Sequence, residues 1–221
     1  MEHLQLNKDA NELKAMSLQR FEADDMEKAF LLARKYLETR EEVNPLLDVE
    51  DALMVVMGER SKILDLHKKP DVSYIEELVP KLLAKYKKPY IEGEERNAYY
   101  DEIAKGAVLL HAEALIEYER CEEALEVLLA DPTVGFSAAF KLFNMRRCLD
   151  ETTFENALLT LWKRASDTTY SQDYRYEVLQ GVKLTIRRLK LSKYDWFKKI
   201  VGLGQSEGCL NAEKYAEGIW N

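Results

Sequence analysis

Apolar residues recur three and four positions apart along most of the chain, the spacing that puts a stripe on one face of an α-helix. Met26, Ala29, Phe30, Ala33, Tyr36 and Leu37 form one such stripe, and a stripe of this kind must be covered by a neighbour. Asp9 and Glu12 stand three apart, so each side chain can satisfy a free backbone N–H at a first turn; this capping box predicts a helix over Ala10–Glu22. Asp24-Asp25 opens the next helix, and the link around Ala23 and Asp24 is too short for anything but an antiparallel pair. Pro45 ends that pair, Asp48 caps a third helix to Leu66, and Pro70 closes it. Ser73 and Glu76 make another capping box. Pro80 removes an N–H and crowds the carbonyl four residues back, which predicts a kink or a restart there. Lys87-Lys88-Pro89 ends this helix, and Ile91-Glu92-Gly93 reads as a loop before a helix that reaches Glu119.

The second half repeats the pattern. A helix from Glu122 to Ala130 stops at Asp131-Pro132, and Ser137 caps the next, which carries Phe140, Leu142, Phe143 and Met145. Thr152 and Glu155 form a third box ahead of Phe154, Ala157, Leu158, Leu161, Trp162 and Ala165. After a polar link over Ser166–Ser171, Val178, Val182, Ile186 and Leu189 mark a further helix. Ser192 with Asp195, and then Ser206, open two short terminal helices. The total is about ten helices and no strand, an all-α fold. Nine glycines and five prolines are too few to close the hairpins of a β protein of 221 residues.

Helix pairs that cannot each bury their apolar face become stable by stacking, and stacked pairs leave a period in the sequence. From Leu13 to Glu41, the residues Leu13, Met16, Ser17, Phe21, Ala29, Ala33 and Leu37 fall at or near the apolar and small positions of a tetratricopeptide repeat, which this segment resembles. Small Ser17 and Ala29 let the two helices approach closely. Arg20 replaces an expected aromatic, Tyr36 stands where alanine is preferred, and the closing proline is displaced to Pro45. Val108–Pro132 is similar, through Ala112, Leu115, Ile116, Cys121, Ala124, Leu125 and Leu128, and Asn156-Ala157-Leu158 suggests a third hairpin with Phe140–Arg147. The resemblance implies an antiparallel helix-hairpin stack, a right-handed TPR-like α-solenoid, spanning residues 1–221 as one repeat domain. Residues 67–93 form an irregular segment within it.

In that family the first helix of each pair lines a concave groove. The resemblance therefore places Asn11, Lys14, Leu18, Phe21 and Glu22 on the groove in the first repeat, and Leu109, Glu113, Ile116 and Glu117 in the second. Members that bind chaperone tails grip a peptide carboxylate with lysine and asparagine; Lys14 fits, but Leu18 stands where asparagine belongs. An apolar or helical ligand is expected instead of an acidic tail. The alternative is that Leu18 and Phe21 pack within the stack.

Composition narrows the function. Hydrophobic residues make up 47% and charged residues 33%, so the chain can bury a core. A net charge of −8 disfavours a general nucleic-acid coat or an anionic-membrane binder. Charge is uneven: the first sixty residues hold fourteen acids and eight bases, whereas Ser171–Ile200 holds eight bases and three acids. That basic C-terminal third, residues 171–221, carries Arg187, Arg188 and Lys190 with Trp196 beside them, and offers an alternative function as a helical nucleic-acid binder. His3, His67 and His111 show no metal-ligand spacing, and Gly202–Gly208 lacks the lysine and preceding strand of a phosphate loop. Cys121, Cys148 and Cys209 are odd in number and far apart, and are read as small buried hydrophobes. No catalytic residue, metal or cofactor is assigned. With no secretory signal or long apolar run, a cytoplasmic or nuclear location is expected. The last residues, Tyr215, Ile219, Trp220 and Asn221, put apolar side chains where a free stack needs a polar cap. This predicts a partner subunit, a homodimer or membership of a longer solenoid. The expected function is a non-enzymatic adaptor or scaffold subunit of a complex that presents a groove to a partner peptide or helix.

Overall fold

The computed structural model describes residues 9–40, 42–87, 98–170 and 172–188. Among the described residues there are nine α-helices and no strand. The chain divides into two compact units, residues 1–118 and 119–221.

The first unit holds α1 (Ala10–Glu22), α2 (Met26–Thr39), α3 (Val49–Leu66), α4 (Val72–Tyr86) and α5 (Ala98–Glu117). α1 begins as expected, with the Asp9 carboxylate accepting from Glu12 N at 2.9 Å. Asp24, at φ 57°, turns the chain back through the left-handed region that Asp tolerates better than most residues. Small residues lie at the contact of α1 with α2: buried Ser17 donates its hydroxyl to the Ala29 carbonyl at 2.8 Å. Asp48 caps α3 by accepting from the N–H groups of Glu50 and Asp51. Tyr36 meets Asp51 whereas Arg34 meets Ser61, so α2 and α3 are antiparallel. Gly58 lets them close up, since a Cβ there would lie 2.5 Å from Leu37 Cδ1.

α3 and α5 run in parallel, with Val56 against Gly106 and Arg60 against Glu113. α4 runs the other way, with Tyr86 edge-on to Tyr100 and the Tyr118 hydroxyl donating to the Pro70 carbonyl at 3.0 Å. Helix direction thus alternates along this unit, and α1, α3 and α5 share one sense. A single core runs through it, containing Leu13, Leu32, Met54, Ile75, Leu82, Ile103 and Leu110.

Two expectations for α4 change. Asp71 caps it by accepting from Tyr74 N, not Ser73. The helix also continues through Pro80, which sits on the exposed side, where water can solvate the carbonyl deprived of its partner. Residues 88–93 of the expected irregular segment lie outside the described residues.

The second unit holds α6 (Cys121–Ala130), α7 (Gly135–Met145), α8 (Glu151–Ser166) and α9 (Gln172–Arg188). A 3-10 turn, Pro132–Val134, leads into α7, and its opening is held by the Asp131 carboxylate, which accepts from Thr133 N at 2.9 Å. That turn displaces the start expected at Ser137. Asp150, not Thr152, caps α8, accepting from Thr153 N at 2.9 Å. α9 packs on both α7 and α8. A Cβ on Gly181 would lie 2.7 Å from both Ala139 Cβ and the Phe136 carbonyl oxygen, so this glycine sets the α7–α9 spacing. The buried Thr185 hydroxyl donates to the Ala139 carbonyl at the same contact.

Cys121 and Cys148 form a disulfide, with Cα atoms 5.9 Å apart. Their reading as separate buried hydrophobes is corrected: a separation of 27 in sequence says nothing of proximity once α6 and α7 fold back on each other. The second expected repeat, Val108–Pro132, has its helices α5 and α6 in different units. The two terminal helices expected from Ser192 and Ser206 lie outside the described residues, as do the Gly202–Gly208 segment and Cys209.

Candidate interaction surface

The α1 residues singled out by repeat spacing meet side chains from α3 and α5. Lys14 Nζ lies 2.8 Å from Asp51 Oδ1, 3.2 Å from Glu50 Oε2 and 3.3 Å from Asp48 Oδ2. The three carboxylates come from the cap and first turn of α3, where the helix dipole favours negative charge. Asp51 also accepts from the Tyr36 hydroxyl at 2.6 Å, and both residues are buried. Further along α1, Phe21 packs against Tyr99 of α5 with ring centroids 6.1 Å apart. The Tyr99 hydroxyl donates to Glu22 Oε1 at 2.6 Å. Leu18 is half-buried and packs on the core, and exposed Asn11 accepts from Arg40 Nη1 at 3.4 Å.

These contacts fix the chemistry of the surface. Burial alone would make the Lys14 ammonium easier to deprotonate, but its hydrogen bonds to Asp51, Glu50 and Asp48 outweigh that, and its pKa rises above the ordinary lysine range. Burial, followed by donation to Asp51, pushes the Tyr36 phenol up to about 12. Tyr99 is pushed up to about 12 as well, chiefly by its hydrogen bond to Glu22 and then by burial and the Glu22 and Glu50 charges. At neutral pH Lys14 is a fixed cation, and both tyrosines are hydrogen-bond donors. None of the three is poised as a nucleophile or a base.

The pH consequence follows from the direction of these shifts. A tyrosine whose folded pKa is raised contributes stability that is complete below its unfolded pKa and is lost as pH rises through the folded value. For Tyr36 the window runs from its ordinary 10 to about 12. The unfolding midpoint should therefore fall across that window, and fall less in Tyr36→Phe, when thermal melts are compared at successive pH values. At neutral pH, Tyr36→Phe should itself cost about 1.5–3 kcal/mol, as expected for losing a hydrogen bond to a charged group.

The other expected groove residues lie elsewhere. Leu109, Glu113 and Ile116 on α5 are all buried. The Glu113 carboxylate is held by two bonds from Arg60, Nε to Oε2 and Nη2 to Oε1, each 2.9 Å. Arg60 also lies 5.3 Å from the centre of the Phe30 ring. Arg187 and Arg188 fall in the last turn of α9, and their side chains, like Lys190 and Trp196, lie outside the described residues. His67 is an exposed residue closing α3 at φ 48°, and His111 is half-buried on α5.

Glu50, Asp51 and Tyr99 were not found as members of the surface from sequence. Asp48 was read only as a helix cap. No local signal marks them, because their roles depend on which helices come to lie together. Among the described residues no group of three or more His, Cys, Asp or Glu is placed to hold a metal ion. No described helix is long and apolar enough to cross a membrane. No family model, no curated protein and no solved structure matches the chain.

Proposed function

We propose that the chain is a non-enzymatic scaffold or adaptor subunit, a TPR-like helix-hairpin stack whose first unit takes a peptide or helix of a partner protein. The observation that carries this reading is the convergence of Lys14, Phe21 and Glu22 of α1 with Glu50 of α3 and Tyr99 of α5. Those three helices share one direction, as do the groove-lining helices of the family that residues Leu13 to Glu41 resemble. The surface offers an aromatic pair beside carboxylates. Lys14, the cation that would grip an acidic tail, is already committed to three carboxylates of its own chain. A ligand carboxylate would have to displace them, so an apolar, non-acidic helix or peptide is favoured.

Affinity capture with the full chain tests this. Glu22 is exposed, and the Glu50 side chain is 46% exposed, so neither is a core residue. Charge reversal in the double variant E22K/E50K should reduce recovery of a captured partner at least tenfold, the scale of one lost polar anchor, with helix content unchanged. E77K, on the exposed side of α4, is the control and should leave recovery as it was. Equal recovery from E22K/E50K and the control would sink the assignment of this face.

A further inference from the structure

The two cysteines of the disulfide sit in different surroundings. Cys121 is the first residue of α6 and is 2% exposed, whereas Cys148 lies in the turn that joins α7 to α8 and is only partly buried. One sulfur of the bond therefore belongs to an accessible turn and the other to a closed helix start. The link joins α6 to the turn just ahead of Asp150, whose carboxylate caps α8. Apart from the link, α6 is held by buried Ala124, Leu125 and Leu128 and by the Leu129 carbonyl, which accepts from Arg164 of α8.

We propose that Cys121 and Cys148 are a reversible dithiol–disulfide clasp, opened by a small dithiol reductant that attacks Cys148, and that opening it loosens α6. In the first step a thiolate of the reductant bonds to Cys148 Sγ, the Cys121–Cys148 bond breaks, and Cys121 leaves as a thiolate. The backbone N–H groups of the first turn of α6 favour that leaving charge. The first turn also carries Glu122 and Glu123; they oppose it little, because Glu122 is exposed to water and Arg120 holds Glu123 by two bonds of 2.7 Å each. In the second step the reductant's other thiolate attacks its own sulfur in the mixed disulfide and releases Cys148. Two electrons pass to the protein, both its sulfurs end as thiols after taking up protons, and the reductant ends as a cyclic disulfide. Attack at Cys121 is disfavoured by its burial, so the order of events is set by the fold.

The experiment uses the full chain carrying Cys209→Ser, so that thiol exchange reports on this pair alone. The folded protein is equilibrated in mixtures of reduced and oxidised dithiothreitol, approached from both directions, and quenched with iodoacetamide. Peptide masses should show one transition, from the linked pair to both cysteines alkylated, at the same mixture from either side. Amide exchange in α6 should quicken severalfold on reduction, and Cys148→Ser should match the reduced protein under every mixture. Both cysteines alkylated even in fully oxidised dithiothreitol would overturn the clasp. A link that survives reductant until the chain is unfolded would overturn its reversibility, and α6 exchange unchanged by reduction would overturn its effect.

Discussion

Replacing Arg60 by methionine should lower the stability of the first unit by about 3–5 kcal/mol, the usual cost of removing one partner of a buried ion pair. The Glu113 side chain is 2% exposed and that of Arg60 is 16% exposed, so little water reaches the contact. Without the guanidinium, the carboxylate loses two charge-assisted hydrogen bonds at once, in a contact from which water is largely excluded. Chemical denaturation followed by circular dichroism measures the loss. The double variant R60M/E113L should recover most of it, because two apolar side chains can fill the space that the ions occupied. A loss in the double variant as large as in R60M would mean that the cost lies in packing of the Arg60 stem over Phe30 and not in the lost ion pair.

The second large effect belongs to the other unit. Trp162 is 1% exposed and among the largest fully buried side chains of the chain. It sits on α8, which packs against both α7 and α9. Trp162→Ala should cost about 3–5 kcal/mol, combining lost burial of the indole with the cavity left behind. Because the chain divides into two compact units, the loss should be local. Hydrogen exchange should quicken across Glu151–Ser166 and Gln172–Arg188, and stay close to wild type in Ala10–Glu22 and Met26–Thr39. Uniform quickening over all of these helices would show that the units unfold as one.

What the sequence could reveal divides along the line between local and distant causes. Helix α1 is predicted to the residue because Asp9, Glu12 and the turn at Asp24 act within one or two turns of chain. The start of α3 at Asp48 is legible for the same reason. Where two capping residues compete, sequence alone chose the wrong one. Asp71 stands two before Ser73, and Asp150 two before Thr152, and in both cases the aspartate takes the first-turn N–H. An ionised acceptor beside the positive end of a helix dipole accounts for that preference. Pro80 brings no restart of α4, because it lies on the exposed side, where water can reach the carbonyl left without its partner.

The candidate surface was half legible. Repeat spacing marked Lys14, Leu18 and Phe21 on α1, but their partners Asp51 and Tyr99 stand 37 residues beyond Lys14 and 78 beyond Phe21. Only the alternation of five helices brings them together. The Cys121–Cys148 link was hidden by the same rule, as were the two bonds between Arg60 and Glu113.

The proposal that a partner segment occupies the α1, α3 and α5 face is tested most directly by hydrogen–deuterium exchange of the full chain with and without a captured partner. The account predicts slower exchange in peptides covering Asn11–Glu22, Asp48–Asp51 and Tyr99–Ile103, with α4 residues Glu77–Tyr86 unchanged as an internal reference. Protection confined to other helices, with those three segments exchanging at the rate of the free chain, would contradict it.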